Sequence, residues 1–142
     1  MITFKESIPR DKVFLNNVRN NTKYFCSQCN IRKDIIDTIE ISVDEIIVNI
    51  IEYSNGKLPI EYIFTYKDNV FECKIIDDGA PFDLVKHLEN IDISDYIKKR
   101  RERGLGLYIV KKFMDTLNIE RKENKNIFTL SKKIFAKETV NA

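Results

Sequence analysis

From Ile36 to Ile50 an apolar side chain returns every three or four residues: Ile36, Ile39, Val43, Ile46 and Ile50, with Ile35 and Ile47 beside them. That spacing keeps one apolar stripe running for about five turns of an α-helix. A chain carrying such a helix must supply an apolar surface to cover the stripe. Two stretches with the period of a strand supply it. Ile60, Tyr62, Phe64 and Tyr66 alternate, Lys67-Asp68-Asn69 turns the chain, and Phe71, Cys73 and Ile75 alternate back with Glu72 and Lys74 facing away. A second hairpin is expected over 118–122 and 127–134, turning at Glu123-Asn124-Lys125.

The remaining elements fall around these. Ile2 and Phe4 share one side of a short strand. Phe14, Val18, Phe25 and Cys29 lie at helical spacing after Pro9. Asn30 reads as a break and as the N-cap of the long helix, and Ser54-Asn55-Gly56 as its left-handed end. Gly104-Leu105-Gly106 opens another helix, with Leu107, Val110, Met114 and Leu117 inward, and the tail from Ala136 reads as polar and frayed. The order β, α, α, β, β, long segment, α, β, β predicts one α+β domain over 1–142. It is a two-layer α/β sandwich, with a mixed, mostly antiparallel sheet covered on one face by helices.

Composition narrows the function classes. The 142 residues, 43% hydrophobic and 32% charged, suffice for one core without disulfide or metal staples. A net charge of +2, from 24 basic and 22 acidic residues, argues against direct nucleic-acid binding or an acidic membrane surface. No apolar run reaches the length of a membrane span and the first residues lack a signal-peptide core, so the expected location is the cytoplasm. Three cysteines fit a reducing compartment. Cys26 and Cys29 form a C-x-x-C without a second ligand pair, which reads as structural.

Three clusters carry chemistry. Glu45 and Asn49, four apart on the long helix, share a face at the edge of its apolar stripe. A carboxamide oxygen there can complete a magnesium site with phosphate oxygens, and a carboxylate can act as general base. Asp77-Asp78-Gly79 follows a strand, where a carboxylate can accept from an exocyclic amine and a glycine admits close approach. Arg103-Gly104-Leu105-Gly106-Leu107 opens a helix, whose free amides and dipole favour phosphate. No Gly-Lys-Ser/Thr follows, so this is not a Walker loop. Between the last two clusters, residues 80–103 show little periodicity, as a functional or mobile segment does.

Each cluster alone is ambiguous, but Glu45…Asn49, Asp77-x-Gly79-x-Pro81-Phe82 and Arg103-Gly104-Leu105-Gly106-Leu107 in this order resemble the N, G1 and G2 boxes of the gyrase, heat-shock chaperone, histidine-kinase and MutL ATPase superfamily. The likeness is to its anti-sigma-factor serine/threonine kinase branch and spans nearly the whole chain. It implies the Bergerat ATP-binding fold, with ATP and Mg2+ as cofactors. Asn49 would hold magnesium and Glu45 would be the catalytic carboxylate. Asp77 would accept from the adenine amine beside Gly79. Gly104, Leu105, Gly106 and Leu107 would meet phosphate, Arg103 the terminal phosphate, and 80–103 would form the lid, with His87 exposed on it. Tyr53 stands where the family often has histidine, and the final hairpin lacks the family's frequent glycine, with Asn126 or Thr129 near that place. The branch implies protein partners, a sigma factor and a small antagonist phosphorylated on serine, and a homodimer. A non-catalytic ATP-binding module that sequesters a partner is the alternative. A detached histidine-kinase domain ranks lower, because the chain carries no dimerisation helix pair with a phosphoacceptor histidine. A stand-alone metabolic enzyme ranks lower still.

Overall fold

The computed structural model of the chain describes residues 1–81 and 106–140, with the backbone alone at 106–109. Five strands form one sheet: β1 (Ile2–Ile8), β2 (Ile60–Lys67), β3 (Val70–Asp77), β4 (Thr116–Lys122) and β5 (Lys125–Lys133), in the order β1-β2-β3-β5-β4. Each pairing is antiparallel. Among the described residues three helices, α1 (Leu15–Gln28), α2 (Lys33–Tyr53) and α3 (Gly106–Phe113), cover one face, with α2 packed between the other two. The expected α+β two-layer sandwich is the observed architecture.

Both hairpins close through two residues of positive φ, Asp68 (52°) with Asn69 (62°) and Glu123 (54°) with Asn124 (63°). Paired left-handed residues make the tight turn whose twist matches that of the flanking strands. Asp and Asn tolerate this conformation, so the polar tripeptides read from sequence are the turns themselves.

The core lies between α2 and the sheet. Ile36, Ile39, Val43, Ile46 and Ile50 are all buried, as the helical period requires. They meet a cluster of rings. Phe64 lies 5.3 Å from Tyr62, 5.5 Å from Phe25, 5.7 Å from Phe71 and 5.8 Å from Phe4, centroid to centroid. The opposite face of the sheet carries Thr3, Lys5, Glu61, Glu72, Lys74 and Thr129, the polar half of the alternation. Cys26, Cys29 and Cys73 are free and buried, and burial pushes the Cys29 thiol up to about 11. None is set up as a reactive thiolate.

Four local expectations are corrected. Asn30 does not cap α2; it takes the left-handed conformation (φ 59°) that ends α1, and Arg32 is the N-cap residue. Ser54, Asn55 and Gly56 form no left-handed cap: Ser54 is extended and Gly56 does not adopt positive φ. Leu117 is not on α3, which ends at Phe113; the Asp115 amide already donates to Ser131 O, so the chain has joined the sheet. Nor is the tail frayed over residues 136–140. Ala136–Glu138 forms a 3-10 turn, Ile31 pairs with Thr139, Arg32 N donates to Glu138 O at 2.7 Å and Val140 N to Asn30 O at 2.9 Å. The polar tail is held by its backbone, which composition does not report.

Because Phe64 touches four other rings and is wholly buried, Phe64→Ala should lower unfolding free energy by about 3–5 kcal/mol. Urea unfolding with an unchanged slope and a lowered midpoint is the expected result.

Candidate functional site

The site is built where the C-terminal end of α2 meets the end of β3. Glu45 and Asn49 are one turn apart on α2, Asn49 buried and Glu45 half-buried. Asn49 Nδ2 donates to the Glu45 carbonyl oxygen at 2.7 Å. That bond uses one of the two amide N–H groups and orients the side chain, whose acceptor is Oδ1. One residue before Glu45, Asp44 accepts from Arg19 Nε and Nη2 on α1 at 2.8 and 3.2 Å. Hydrogen bonding to Asp44 holds the Arg19 guanidinium above its ordinary value against the cost of burial, and Glu40 and Glu45 add to the field.

Asp77, the last residue of β3, is 1% exposed. A carboxylate taken out of water needs several donors, and three segments provide them. Arg10 Nη2 donates to Oδ1 at 2.6 Å. The Ser54 hydroxyl lies 2.9 Å from Oδ1 and 2.8 Å from Oδ2. Asn126 Nδ2 reaches Oδ2 at 3.2 Å. Each donor has a structural reason for its place. Asn126 is the residue of β5 paired with Asp77 in the sheet. Ser54 is the C-cap of α2, five residues beyond Asn49, so its bond to Asp77 ties the helix bearing Asn49 to the strand bearing Asp77.

The turn after Asp77 is held as firmly. Asn126 Nδ2 donates to Ala80 O at 2.8 Å, Arg121 Nη1 donates to Gly79 O at 2.6 Å, and Ala80 N donates to Asn55 Oδ1 at 2.8 Å. Gly79 is required by close approach: a Cβ there would collide with Ser54 Oγ and stand 3.0 Å from Asp77 Oδ2. Asp78 faces the loop after α2 and accepts from the amides of Lys57 and Leu58 at 3.0–3.2 Å. Burial opposes its charge, but those two amides and Arg10 together hold its carboxyl below its ordinary value.

Glu45, Asn49, Asp77 and Gly79 therefore lie on elements that the structure joins. Phe82, the segment 82–105, His87, Arg103, Gly104 and Leu105 lie outside the described residues; Gly106 begins α3, and the side chain of Leu107 is outside the description. Sequence reasoning missed Arg10, Ser54 and Arg121, and left Asn126 undecided against Thr129. Asn126 faces Asp77 across β3 and β5, a pairing between the two hairpins that neither turn fixes, so the local sequence pattern left it open. Arg10 is 67 residues from its partner, and nothing in its surroundings marks it.

The Gly79–Ser54 contact gives a test. Gly79→Ala should destabilise by about 1–3 kcal/mol, as overpacking does. Ser54→Ala should also cost stability by removing a donor from a buried carboxylate. Together they should cost less than the sum of the two, since one change removes the atom with which the other collides. Denaturant unfolding of the four proteins of the cycle measures the difference.

Comparison with known proteins bears on the family and the fold. Residues 8–132 match the family model of the histidine kinase-like ATPase domain. A serine-protein kinase RsbW of Halalkalibacterium halodurans is 26% identical over 145 residues, covering 98% of this chain and 87% of that protein. One from Listeria monocytogenes is 24% identical over 120 residues, covering 79% and 75%. Among solved structures, the SiaB-SiaC complex of Pseudomonas aeruginosa contains a chain of TM-score 0.62 at 16% identity, covering 94% of this chain and 89% of that one. The RsbU and RsbW domains of a Mycobacterium tuberculosis protein give 0.65 at 14% identity, and there the match spans 32% of the larger chain. At those identities the likeness of the solved structures is one of fold. With a family model matching from the last residue of β1 to the end of β5, this chain belongs to the histidine kinase-like ATPase domain family.

Proposed function

We propose that the chain binds Mg-ATP at the junction of α2 and β3 and acts as a serine/threonine protein kinase on a small antagonist protein. The observation that carries this reading is Asp77: a buried carboxylate at a strand end, oriented by three donors and tied through Ser54 to the helix of Asn49. Such a group suits an exocyclic amine such as that of adenine. A carboxylate offers about four lone-pair positions, and Arg10, the single Ser54 proton and Asn126 use three of them.

The amide oxygen of Asn49 has the hard-donor character that magnesium takes beside phosphate oxygens. When bound, magnesium would neutralise charge developing on the transferred phosphoryl group. Glu45, one turn away and half-buried, would take the proton of an incoming serine hydroxyl. Arg103, Gly104, Leu105, Gly106 and Leu107 are assigned to the phosphates by sequence, as the lid is to 80–103. Relatives named serine-protein kinases support the reaction, and a complex named for SiaB and SiaC supports a protein partner. A sigma factor as second partner, and the cytoplasm as location, belong to the same reading. Among the described residues no helix is long and apolar enough to cross a membrane.

The experiment separates binding from transfer. Mg-ATP should raise the melting temperature, since a ligand of the folded state alone stabilises it by mass action. Asn49→Ala should weaken that shift. Glu45→Gln should keep it and slow phosphate transfer to the partner by about 100- to 10,000-fold, the span typical of a general base. Positioning and charge dominate phosphoryl transfer, so the lower end is expected. An unaltered rate in Glu45→Gln removes the base assignment. A natural chain that binds Mg-ATP and its partner without transfer is instead a sequestering module.

The reading includes a homodimer along β1, whose outer edge pairs with no other strand among the described residues. Light scattering should give twice the chain mass at high concentration; a monomer throughout rejects it.

A further inference from the structure

The Arg10 side chain belongs to none of the three sequence clusters, yet it is among the most constrained on this face. Its Nη2 is shared between Asp77 Oδ1 and Asp78 Oδ1, both at 2.6 Å, and its Nε donates to Leu58 O at 2.7 Å. The side chain is 14% exposed against 1% for Asp77. A solvated ion pair of this kind would have little fixed geometry; one enclosed this far is not loosened by water. The fold also makes room for it. Gly56 lies against the guanidinium, and a Cβ there would collide with Nη2 and stand 2.5 Å from Asp78 Oδ1. Arg10 thus joins three segments that have no helix or strand in common: the chain after β1, the loop after α2 and the end of β3.

We propose that Arg10 is a positioning residue for nucleobase recognition, one that sets which lone pair of Asp77 is presented to the base. This rests on the ATP reading above. The physical argument is one of rotation. A carboxylate turns about its last bond unless donors hold both oxygens. Ser54 cannot fix it, because a single hydroxyl proton lies between Oδ1 and Oδ2 at nearly equal distances, 2.9 and 2.8 Å. Asn126 holds only Oδ2, and at 3.2 Å it does so weakly. Arg10 is the charged, short contact to Oδ1. Asp78, itself anchored by the Lys57 and Leu58 amides, prevents the guanidinium from following the carboxylate if that group turns. The two acidic residues of Asp77-Asp78-Gly79 then have separate tasks: Asp77 meets the base, and Asp78 anchors the arginine that orients Asp77.

The test reads base discrimination, which a merely structural role would not move. Calorimetric titration compares Mg-ATP with Mg-inosine triphosphate, whose base lacks the exocyclic amine, on the natural chain, Arg10→Gln and Arg10→Lys. The natural chain should prefer ATP. Arg10→Gln should weaken ATP binding about tenfold, the scale of one charged hydrogen bond, and should reduce the preference over inosine triphosphate by a similar factor. Arg10→Lys keeps the charge without the fork and should fall between the two. Should Arg10→Gln fail to fold, the same ratio read on Arg10→Lys decides. Equal weakening of both nucleotides, or an unchanged ratio, overturns the positioning role and leaves the ATP site standing. A natural chain that binds neither nucleotide overturns the ATP reading and this inference with it.

Discussion

A carboxylate buried at the end of a central strand is the constraint around which this domain is arranged. Asp77 ends a strand whose inward face is otherwise apolar: Ile75 two residues before it and Phe128 two residues from its sheet partner are, like Asp77, wholly or almost wholly buried. Leaving such a charge without donors would cost several kcal/mol. The donors come from the chain after β1, from the cap of α2 and from the second residue of β5, so the site closes only when the N-terminal strand, the long helix and the last hairpin are all in place. Buried charge pairs contribute little net stability once desolvation is counted. What the arrangement secures is the orientation of one group, and the stability comes from the rings and branched side chains beside it.

That division explains what the sequence could and could not disclose. The α2 stripe and the two alternating hairpins were legible because their periods are local properties of the chain. Asp77 and Gly79 were legible as a turn, and with Glu45 and Asn49 as an ordered set. Ser54 was read as part of a helix terminus, and it is one, but its hydroxyl caps a strand 23 residues away instead of its own helix. Gly56 was taken as a left-handed cap because glycine commonly fills that role. Here it is needed for space, to admit Arg10. The same residue type answers two physical demands, and only the fold says which applies. The segment 82–105 lies outside the described residues, so the lid and the Arg103-Gly104-Leu105 readings rest on sequence.

The two halves of the candidate site differ in what holds them. Asn49 is oriented by its own helix, through the Glu45 carbonyl one turn back. Any helix carrying asparagine at that spacing could do the same, which is why the pair is recognisable from spacing alone. Asp77 is oriented by residues 23, 49 and 67 positions distant. Its orientation therefore depends on distant parts of the chain being in place together.

The Ser54 hydroxyl joins the two halves directly. Ser54 belongs to α2 by backbone, its amide donating to Ile50 O at 3.0 Å, and to β3 by side chain. A shift of α2 along its axis would therefore move Asn49 and disturb Asp77 together. On the proposed reading, with phosphate chemistry on the helix and base recognition on the strand, such a link would fix the distance between the two ends of the nucleotide. Gly79, pressed against the same hydroxyl, extends the link to the turn from which the segment beyond residue 81 departs. Helix, strand and turn thus meet at the Ser54 hydroxyl, on the polar side of the apolar core.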